Sequence, residues 1–256
     1  MKIGFIAIAG AASLVASADA GLAGFVAYSR NVGANTVIDV FAAVTNASDK
    51  FLNVYDLTSN GTFVQKAGLA TKTWKPDAAN FVATRNTADD SFMTAGTFSG
   101  APYGGEYYAS TNTVGDPNFT GTSWNGTPAS AAATAIPSLA GWYTGDPTSI
   151  DNGTEALASA VAGGTRSDSF LLTASGGYSA PADSSAATRG TWVSHLVVAG
   201  NNKVIGVDFT FKAFASIKDG VTGATTQAEY TFTAIPAPGA IALLGIAGVV
   251  TRRSRR

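Results

Sequence analysis

The stretch Thr191-Trp-Val-Ser-His-Leu-Val-Val198 carries the clearest strand pattern of the chain. Its side chains fall into two alternating sets, which are Trp192, Ser194, Leu196 and Val198 against Val193, His195 and Val197. After a turn at 200–202, residues 204–216 alternate in the same way, with Val207, Phe209, Phe211 and Ala213 opposed to Asp208, Thr210 and Lys212. This period of two predicts antiparallel strands with one face on a core and one in water.

Further strand candidates lie on both sides of this stretch, separated by turn-forming residues. They are 24–29, 36–45, 51–57, 62–67, 91–97 and 227–232. Residues 46–50 form a polar turn of hairpin length between the second and third of these candidates. Many short strands with turn signals predict a mainly β protein, and we expect one antiparallel β-sandwich or jelly-roll domain over residues 21–234.

Residues 99–155 differ from the rest, because Gly, Pro, Asn and Ser prevail and the period-two runs stop. We expect an irregular, loop-rich insertion there. Its six tyrosine and tryptophan residues are Tyr103, Tyr107, Tyr108, Trp124, Trp142 and Tyr143. Aromatic rings on loops can stack on sugars or anchor a partner protein, which predicts a ligand-binding site. The alternative is that the rings fold back and close an open end of the sheets.

Composition excludes several classes of function. The 256 residues have a formal net charge of −1 and no clustered basic residues outside the C-terminal end, so no nucleic-acid partner is expected. The chain has no cysteine, which removes disulfides and thiol chemistry. Phosphate-cradling loops are absent, and we expect no cofactor.

The catalytic signals are weak. His195 is the only histidine, lies in the middle of a strand, and has no G-x-S-x-G elbow to work with. A structural or surface histidine is therefore expected, and one histidine without cysteine cannot form an ordinary zinc site. A secreted hydrolase would need Glu106, Asp116, Glu155 or His195 to share one pocket. We interpret the protein as non-enzymatic.

Two similar turns are candidates for binding calcium. Gly115-Asp116-Pro117-Asn118 and Gly145-Asp146-Pro147-Thr148 are each followed by Asn-Gly-Thr. The oxygen atoms of Asp116, Asp146 and Asp151 suit a hard cation, but such sequences also form turns without an ion. Because no D-x-D-x-D-G spacing occurs, no metal is assigned.

The N-terminal segment has the order of a secretory signal peptide. Lys2 is followed by the uncharged residues 3–15 and then by small residues in an A-x-A pattern. We predict a signal peptide over residues 1–20, cleaved after Ala20 or after Ala18.

The C-terminal segment has the order of a membrane stop. Pro236-Ala237-Pro238-Gly239 leads into an uncharged apolar stretch, which ends in Arg252, Arg253, Arg255 and Arg256. Arginine resists transfer across a bilayer and remains on the cytoplasmic side. A helix over about residues 238–251 is roughly 20 Å long, short of a hydrocarbon core of about 30 Å. The segment suits temporary retention at a membrane.

A signal peptide, a β-rich body and this tail together resemble the PEP-CTERM sorting-signal proteins of Gram-negative bacteria. The resemblance covers residues 235–256, where Pro236-Ala237-Pro238 stands for Pro-Glu-Pro and the following run looks like the variant of planctomycete-type bacteria. In that family the tail is recognised by exosortase, a membrane-embedded transpeptidase-like protease. The resemblance implies sorting to the cell surface or extracellular matrix and says nothing about catalysis.

These signals lead to one main hypothesis and one alternative. The main hypothesis is a non-enzymatic surface or biofilm-matrix protein, held at the inner membrane by its tail and then processed. Its expected partners are the Sec machinery, signal peptidase, an exosortase, the inner membrane and exopolysaccharide. The alternative is a secreted carbohydrate-binding module that uses the aromatic residues of 99–155.

Overall fold

The computed structural model describes residues 22–44, 49–67, 72–76, 84, 86–99, 107–110, 113–127, 134–145, 165–167, 170–172, 178–179, 189–231 and 233–234. Strands dominate this part of the chain. They are β1 (Leu22–Val32), β2 (Asn35–Val44), β3 (Lys50–Thr58), β4 (Phe92–Met93), β5 (Thr97–Ser99), β6 (Tyr107–Ala109), β7 (Thr113–Gly115), β8 (Ala140–Thr144), β9 (Thr165–Ser167), β10 (Phe170–Leu172), β11 (Tyr178–Ser179), β12 (Arg189–Ala199), β13 (Lys212–Lys218), β14 (Thr225–Thr231) and β15 (Thr233–Ala234). The described residues also contain one short helix, α1 (Gly121–Asn125), which is capped by the Thr120 side chain.

The first sheet has seven strands in the order β11-β10-β12-β2-β1-β15, with β4 added beside β12. β1 and β2 form a hairpin whose turn contains Gly33 at φ 61°, a conformation that glycine adopts without steric cost. β12 runs antiparallel to β2 along its length, with a bulge between Trp192 and Ser194. Only the short β15 is parallel to its neighbour, β1. We call this the seven-stranded sheet.

The second sheet has five strands in the order β14-β13-β3-β8-β7, and all its pairings are antiparallel. The third sheet is small and consists of β6, β5 and β9. The protein is therefore mainly β, with two antiparallel sheets and little helix among the described residues. This confirms the coarse fold class that the alternating sequence patterns predict.

One hydrophobic core joins the two larger sheets. The seven-stranded sheet contributes Phe25, Ile38, Val40 and Leu196, and the five-stranded sheet contributes Val54, Leu57, Trp142 and Ile217. Phe25 and Phe211 meet edge to face with ring centroids 6.0 Å apart. Because the described part of the chain has no disulfide, burial of these side chains supplies much of its stability.

The connection between β2 and β3 differs from the expected hairpin. β2 pairs with β1 and β12, whereas β3 pairs with β13 and β8. The chain therefore passes from one sheet to the other between Val44, the end of β2, and Lys50, the start of β3. A short polar segment can form a hairpin turn within one sheet or a crossover between two sheets, so the local sequence does not distinguish these connections.

β12 also differs from its prediction, because both of its faces are buried. Val193 and Leu196 point into the shared core, while Trp192 and His195 lie on the opposite face at 0 % exposure. That face is covered in part by Phe92, whose ring stacks on His195 at 4.7 Å. Polar residues among the alternating positions of β12 are thus packed and not solvated.

Other strand predictions need correction as well. Residues 62–67 form no strand, and 204–211 form turns, in which Val207 is 83 % exposed. Segment 99–155, expected as a loop-rich insertion, contributes β6, β7, α1 and β8 to the described structure. Its β8 is an inner strand of the five-stranded sheet, so part of this segment belongs to the core.

Candidate functional site

The only histidine of the chain lies in a buried charged cluster on three adjacent strands. Asp39 of β2 accepts from Arg30 of β1 through Oδ2, and its Oδ1 is 2.7 Å from His195 Nδ1 on β12. His195 Nε2 donates to the carbonyl oxygen of Thr87 at 2.8 Å. Asp39 and His195 are fully buried, whereas the Arg30 side chain is 33 % exposed. The register places Asp39 and His195 directly opposite each other.

The environment of His195 leaves no ring nitrogen available for catalysis. Both nitrogens lie within hydrogen-bond distance of oxygen atoms, Nδ1 facing the Asp39 carboxyl group and Nε2 facing the Thr87 carbonyl group. Phe92 stacks on one side of the ring and Trp192 meets it edge to face at 5.8 Å. A general base needs a free nitrogen within reach of a substrate. His195 therefore serves as a structural residue in this arrangement.

Asp39 is held in its ionised form. Burial alone would raise the pKa of Asp39, but the charges and hydrogen bonds of His195 and Arg30 outweigh it and lower that pKa below the ordinary value. The carboxylate is thus matched by the Arg30 guanidinium group and by a hydrogen bond with His195. This is the pattern by which a charge is tolerated inside a protein.

A second buried carboxyl group, Asp90, behaves in the opposite way. Desolvation by burial raises the pKa of Asp90 to about 8, and the negative charge of Asp89 adds to this effect. The backbone N–H of Lys66 donates to Asp90 Oδ1 at 3.0 Å and opposes the shift only in part. The Lys66 ammonium group itself pairs with Asp89 at 3.0 Å. Asp90 is therefore protonated at neutral pH.

The aromatic residues expected on loops occupy different environments. Trp142 is a fully buried residue of β8 whose Nε1–H donates to Thr94 O at 3.0 Å. Trp124 of α1 is 9 % exposed and packs against Phe119. Neither ring has an open face for a ligand, which corrects the interpretation of the two tryptophans as loop-displayed residues. Tyr143, also in β8, is 43 % exposed.

The other expected binding residues are less fully described. Tyr107 and Tyr108 lie in β6, but their side chains, like all of Tyr103, fall outside the described residues. Glu106 and Glu155, the carboxylates of the hydrolase hypothesis, fall outside them too. The hydrolase hypothesis requires four residues to share one pocket, and of these Asp116 and His195 are the two that the structure describes.

The calcium candidates are only partly described, since Asp146 and Asp151 lie outside the described residues. Asp116 Oδ1 accepts from the backbone N–H of Asn118 at 2.9 Å, and the Asn118 amide donates to Leu139 O at 2.7 Å. These contacts make a self-contained turn. Within the described part of the chain, no three His, Cys, Asp or Glu residues are grouped as metal ligands.

A feature that the sequence interpretation missed is the outer face of the five-stranded sheet. Tyr55 of β3 and Phe214 of β13 stack there with centroids 5.2 Å apart. Asn53 Oδ1 and Ser216 Oγ, on the same two strands, are shielded from water without a hydrogen-bond partner among the described residues. Each such atom costs about 1–3 kcal/mol. The alternation in Asn53-Val54-Tyr55 could have identified the outward positions, but not their cross-strand neighbours.

The terminal signals lie outside the described residues. This applies to Ala18 and Ala20, to the motif Pro236-Ala237-Pro238-Gly239, and to the arginines at 252, 253, 255 and 256. No helix within the described ranges is long and apolar enough to cross a membrane.

Comparison with known proteins gives no assignment. No protein-family model, no curated protein and no solved structure matches this chain.

Proposed function

We propose that the chain is a non-enzymatic exported protein of the cell surface or extracellular matrix, sorted and processed through its C-terminal tail by an exosortase. The observation that carries this proposal is the extent of the described strands. β1 begins at Leu22, just after the cleavage positions expected from the sequence, and β15 ends at Ala234, two residues before Pro236. The described strands therefore lie between the two terminal signals expected from the sequence.

The body is proposed to be a β-sandwich of the jelly-roll kind. Two sheets share one core, and the chain passes between them after β2, after β12 and again from β14 to β15. Repeated crossing between two packed sheets is a feature of such folds. The low charge content and the absence of cysteine fit a secreted module that is stabilised by burial.

The non-enzymatic part of the proposal is supported by His195. The residue on which a nucleophile–histidine mechanism would depend has both nitrogens engaged and its ring enclosed. The proposed sequence of events is therefore topological. The Sec machinery exports the body, signal peptidase removes residues 1–20, and the tail keeps the protein at the inner membrane until exosortase processes it.

Mass spectrometry of the protein from the surface of its native host tests this proposal. We expect a mature N-terminus at residue 21 or 19 and a C-terminus that lacks the arginine cluster. A chain with Pro236→Ala and Pro238→Ala should accumulate in the inner membrane with Arg256 still present. A Val207→Ala chain, changed on an exposed loop of the body, should mature normally. A mature surface form that retains Arg256 would contradict the proposal.

A further inference from the structure

The outer faces of the two larger sheets are not equivalent. On the seven-stranded sheet this face is packed, with Phe41, Trp192 and His195 all at 0 % exposure. On the five-stranded sheet it is open, since Tyr143 is 43 % exposed and most of β14 faces solvent. An open sheet face that carries aromatic rings is a candidate binding surface.

We propose that the outer face of the five-stranded sheet binds a neutral polysaccharide chain. The site is a row of cross-strand neighbours, one from each strand, in the order Gln227, Ser216, Asn53, Tyr143 and Val114. At a strand spacing of about 4.8 Å the row is about 19 Å long. This length fits an extended chain of several sugar units. The proposal does not depend on the sorting tail.

Aromatic rings give this face its affinity for sugars. Tyr143 lies within the row, and the stacked pair of Tyr55 and Phe214 lies beside it. Both rings of the pair are partly exposed. The apolar C–H face of a sugar packs on such rings, while the tyrosine hydroxyl groups keep a polar edge for its hydroxyls.

Two oxygen atoms in the row have no hydrogen-bond partner in the part of the chain that the structure describes, and the hydroxyl groups of a bound sugar can donate to them. Ser216 Oγ and Asn53 Oδ1 have no hydrogen-bond partner among the described residues. The Tyr55 hydroxyl donates to Gln227 Oε1 at 3.3 Å, so its ring reaches across β13 beside Ser216. This long hydrogen bond is weak. Rotation of Tyr55 opens the two oxygens to hydroxyl donors of a bound sugar.

The charges of the face favour a neutral ligand over an anionic one. The row itself has no charged side chain. On one side of it Lys212 Nζ and Glu229 Oε1 neutralise each other at 2.6 Å, and the cross-strand pair Lys50 and Lys218 lies on the other side, next in the chain to Asp49 and Asp219. A nucleic acid or a polyuronate requires a continuous basic surface, which the row does not provide.

Affinity electrophoresis of the full chain in detergent micelles tests the proposal. The probes are dextran, galactomannan and mixed-linkage β-glucan as neutral chains and alginate as the anionic chain. We expect at least one neutral probe to retard the protein, and Tyr143→Ala to weaken that binding at least tenfold. Val207→Ala, at an 83 % exposed position away from the sheet face, should bind as the unchanged chain does.

Ser216→Ala separates binding from folding. Removing an unpartnered hydroxyl should not lower the melting temperature, whereas it should weaken binding severalfold. Retardation by none of the neutral probes, retardation by alginate alone, or equal binding by Tyr143→Ala would overturn the proposal. Self-association that Tyr143→Ala abolishes, seen by analytical ultracentrifugation, would assign the face to a second copy of the chain and overturn it too. Because purified protein is used, these outcomes are independent of sorting.

Discussion

At the scale of single residues, the described core contains two carboxyl groups with opposite solutions to burial. Asp39 is ionised between Arg30 and His195, and Asp90 is neutral because no cation faces it closely enough to offset desolvation. In the sequence Asp39 stands alone between apolar residues, whereas Asp90 directly follows Asp89, and this adjacency alone does not predict which of the two buried groups is neutral. Their different states arise from neighbours that are distant along the chain.

The pKa of Asp90 predicts how stability depends on pH. Its pKa is about 8 in the folded protein against an ordinary value of 3.8, so unfolding releases a proton between these pH values. The free energy of unfolding should therefore fall as pH rises from about 4 through 8, by an amount of order 5 kcal/mol. Asp90→Asn should remove this fall. Urea unfolding at pH 5, 7 and 9 measures it.

Asp39 provides the contrast for this experiment. Its folded pKa is lowered, so its contribution to stability is present above about pH 4 and is lost at lower pH. Asp90→Asn should leave that acid-side loss unchanged. A fall between pH 5 and 9 that is equally steep in Asp90→Asn would show that another group causes it.

At the scale of secondary-structure elements, the strand bounds predicted from the sequence agree closely with the structure where both faces of a strand have a regular composition. β2 and β3 were expected at 36–45 and 51–57 and lie at Asn35–Val44 and Lys50–Thr58. The prediction was wrong for 204–211, because tight turns with Gly206 at φ 87° and Asn202 at φ 59° interrupt the alternation. Apolar and polar residues can alternate by chance through such turns, so the turns are recognised only from the backbone path.

Close strand contact at Gly141 gives a prediction at this scale. A Cβ atom at Gly141 would lie 2.7 Å from Val54 O and 2.9 Å from the Tyr55 Cα, so β3 and β8 would have to separate. We expect Gly141→Ala to lower the free energy of unfolding by about 1–3 kcal/mol. Chemical denaturation measures this change.

Gly121 in α1 is the matched control. A Cβ atom there meets nothing within 4 Å, so Gly121→Ala should be neutral or slightly stabilising. Equal stability of the Gly141→Ala and Gly121→Ala chains would contradict the close approach of β3 and β8.

At the scale of the whole molecule, the last described strand connects the two sheets. β14 is an edge strand of the five-stranded sheet, and β15 follows it to pair with β1 of the seven-stranded sheet. The pairing joins Val26 to Thr233 and Ala27 to Ala234. The described body thus extends to Ala234, close to the tail predicted from the sequence at residues 235–256.

Two shortened chains test this boundary. A chain of residues 21–234 keeps β15, whereas a chain of residues 21–231 loses it. We expect the shorter one to melt about 2–4 °C lower, since the edge of β1 loses its partner at a cost of about 1 kcal/mol. Calorimetry measures both midpoints. Identical midpoints would show that β15 adds nothing to the body.

The sequence by itself determined the β-rich class and the absence of cysteine, and it predicts the two terminal signals on which the sorting proposal depends. These properties are local, since strand alternation, signal-peptide order and an arginine cluster are all written in neighbouring residues. Only the tertiary structure decided that β2 and β3 belong to different sheets, that Asp39 meets His195, and that Tyr55 lies beside Phe214. Each of these depends on register between strands far apart in the chain, which a pattern of period two leaves open.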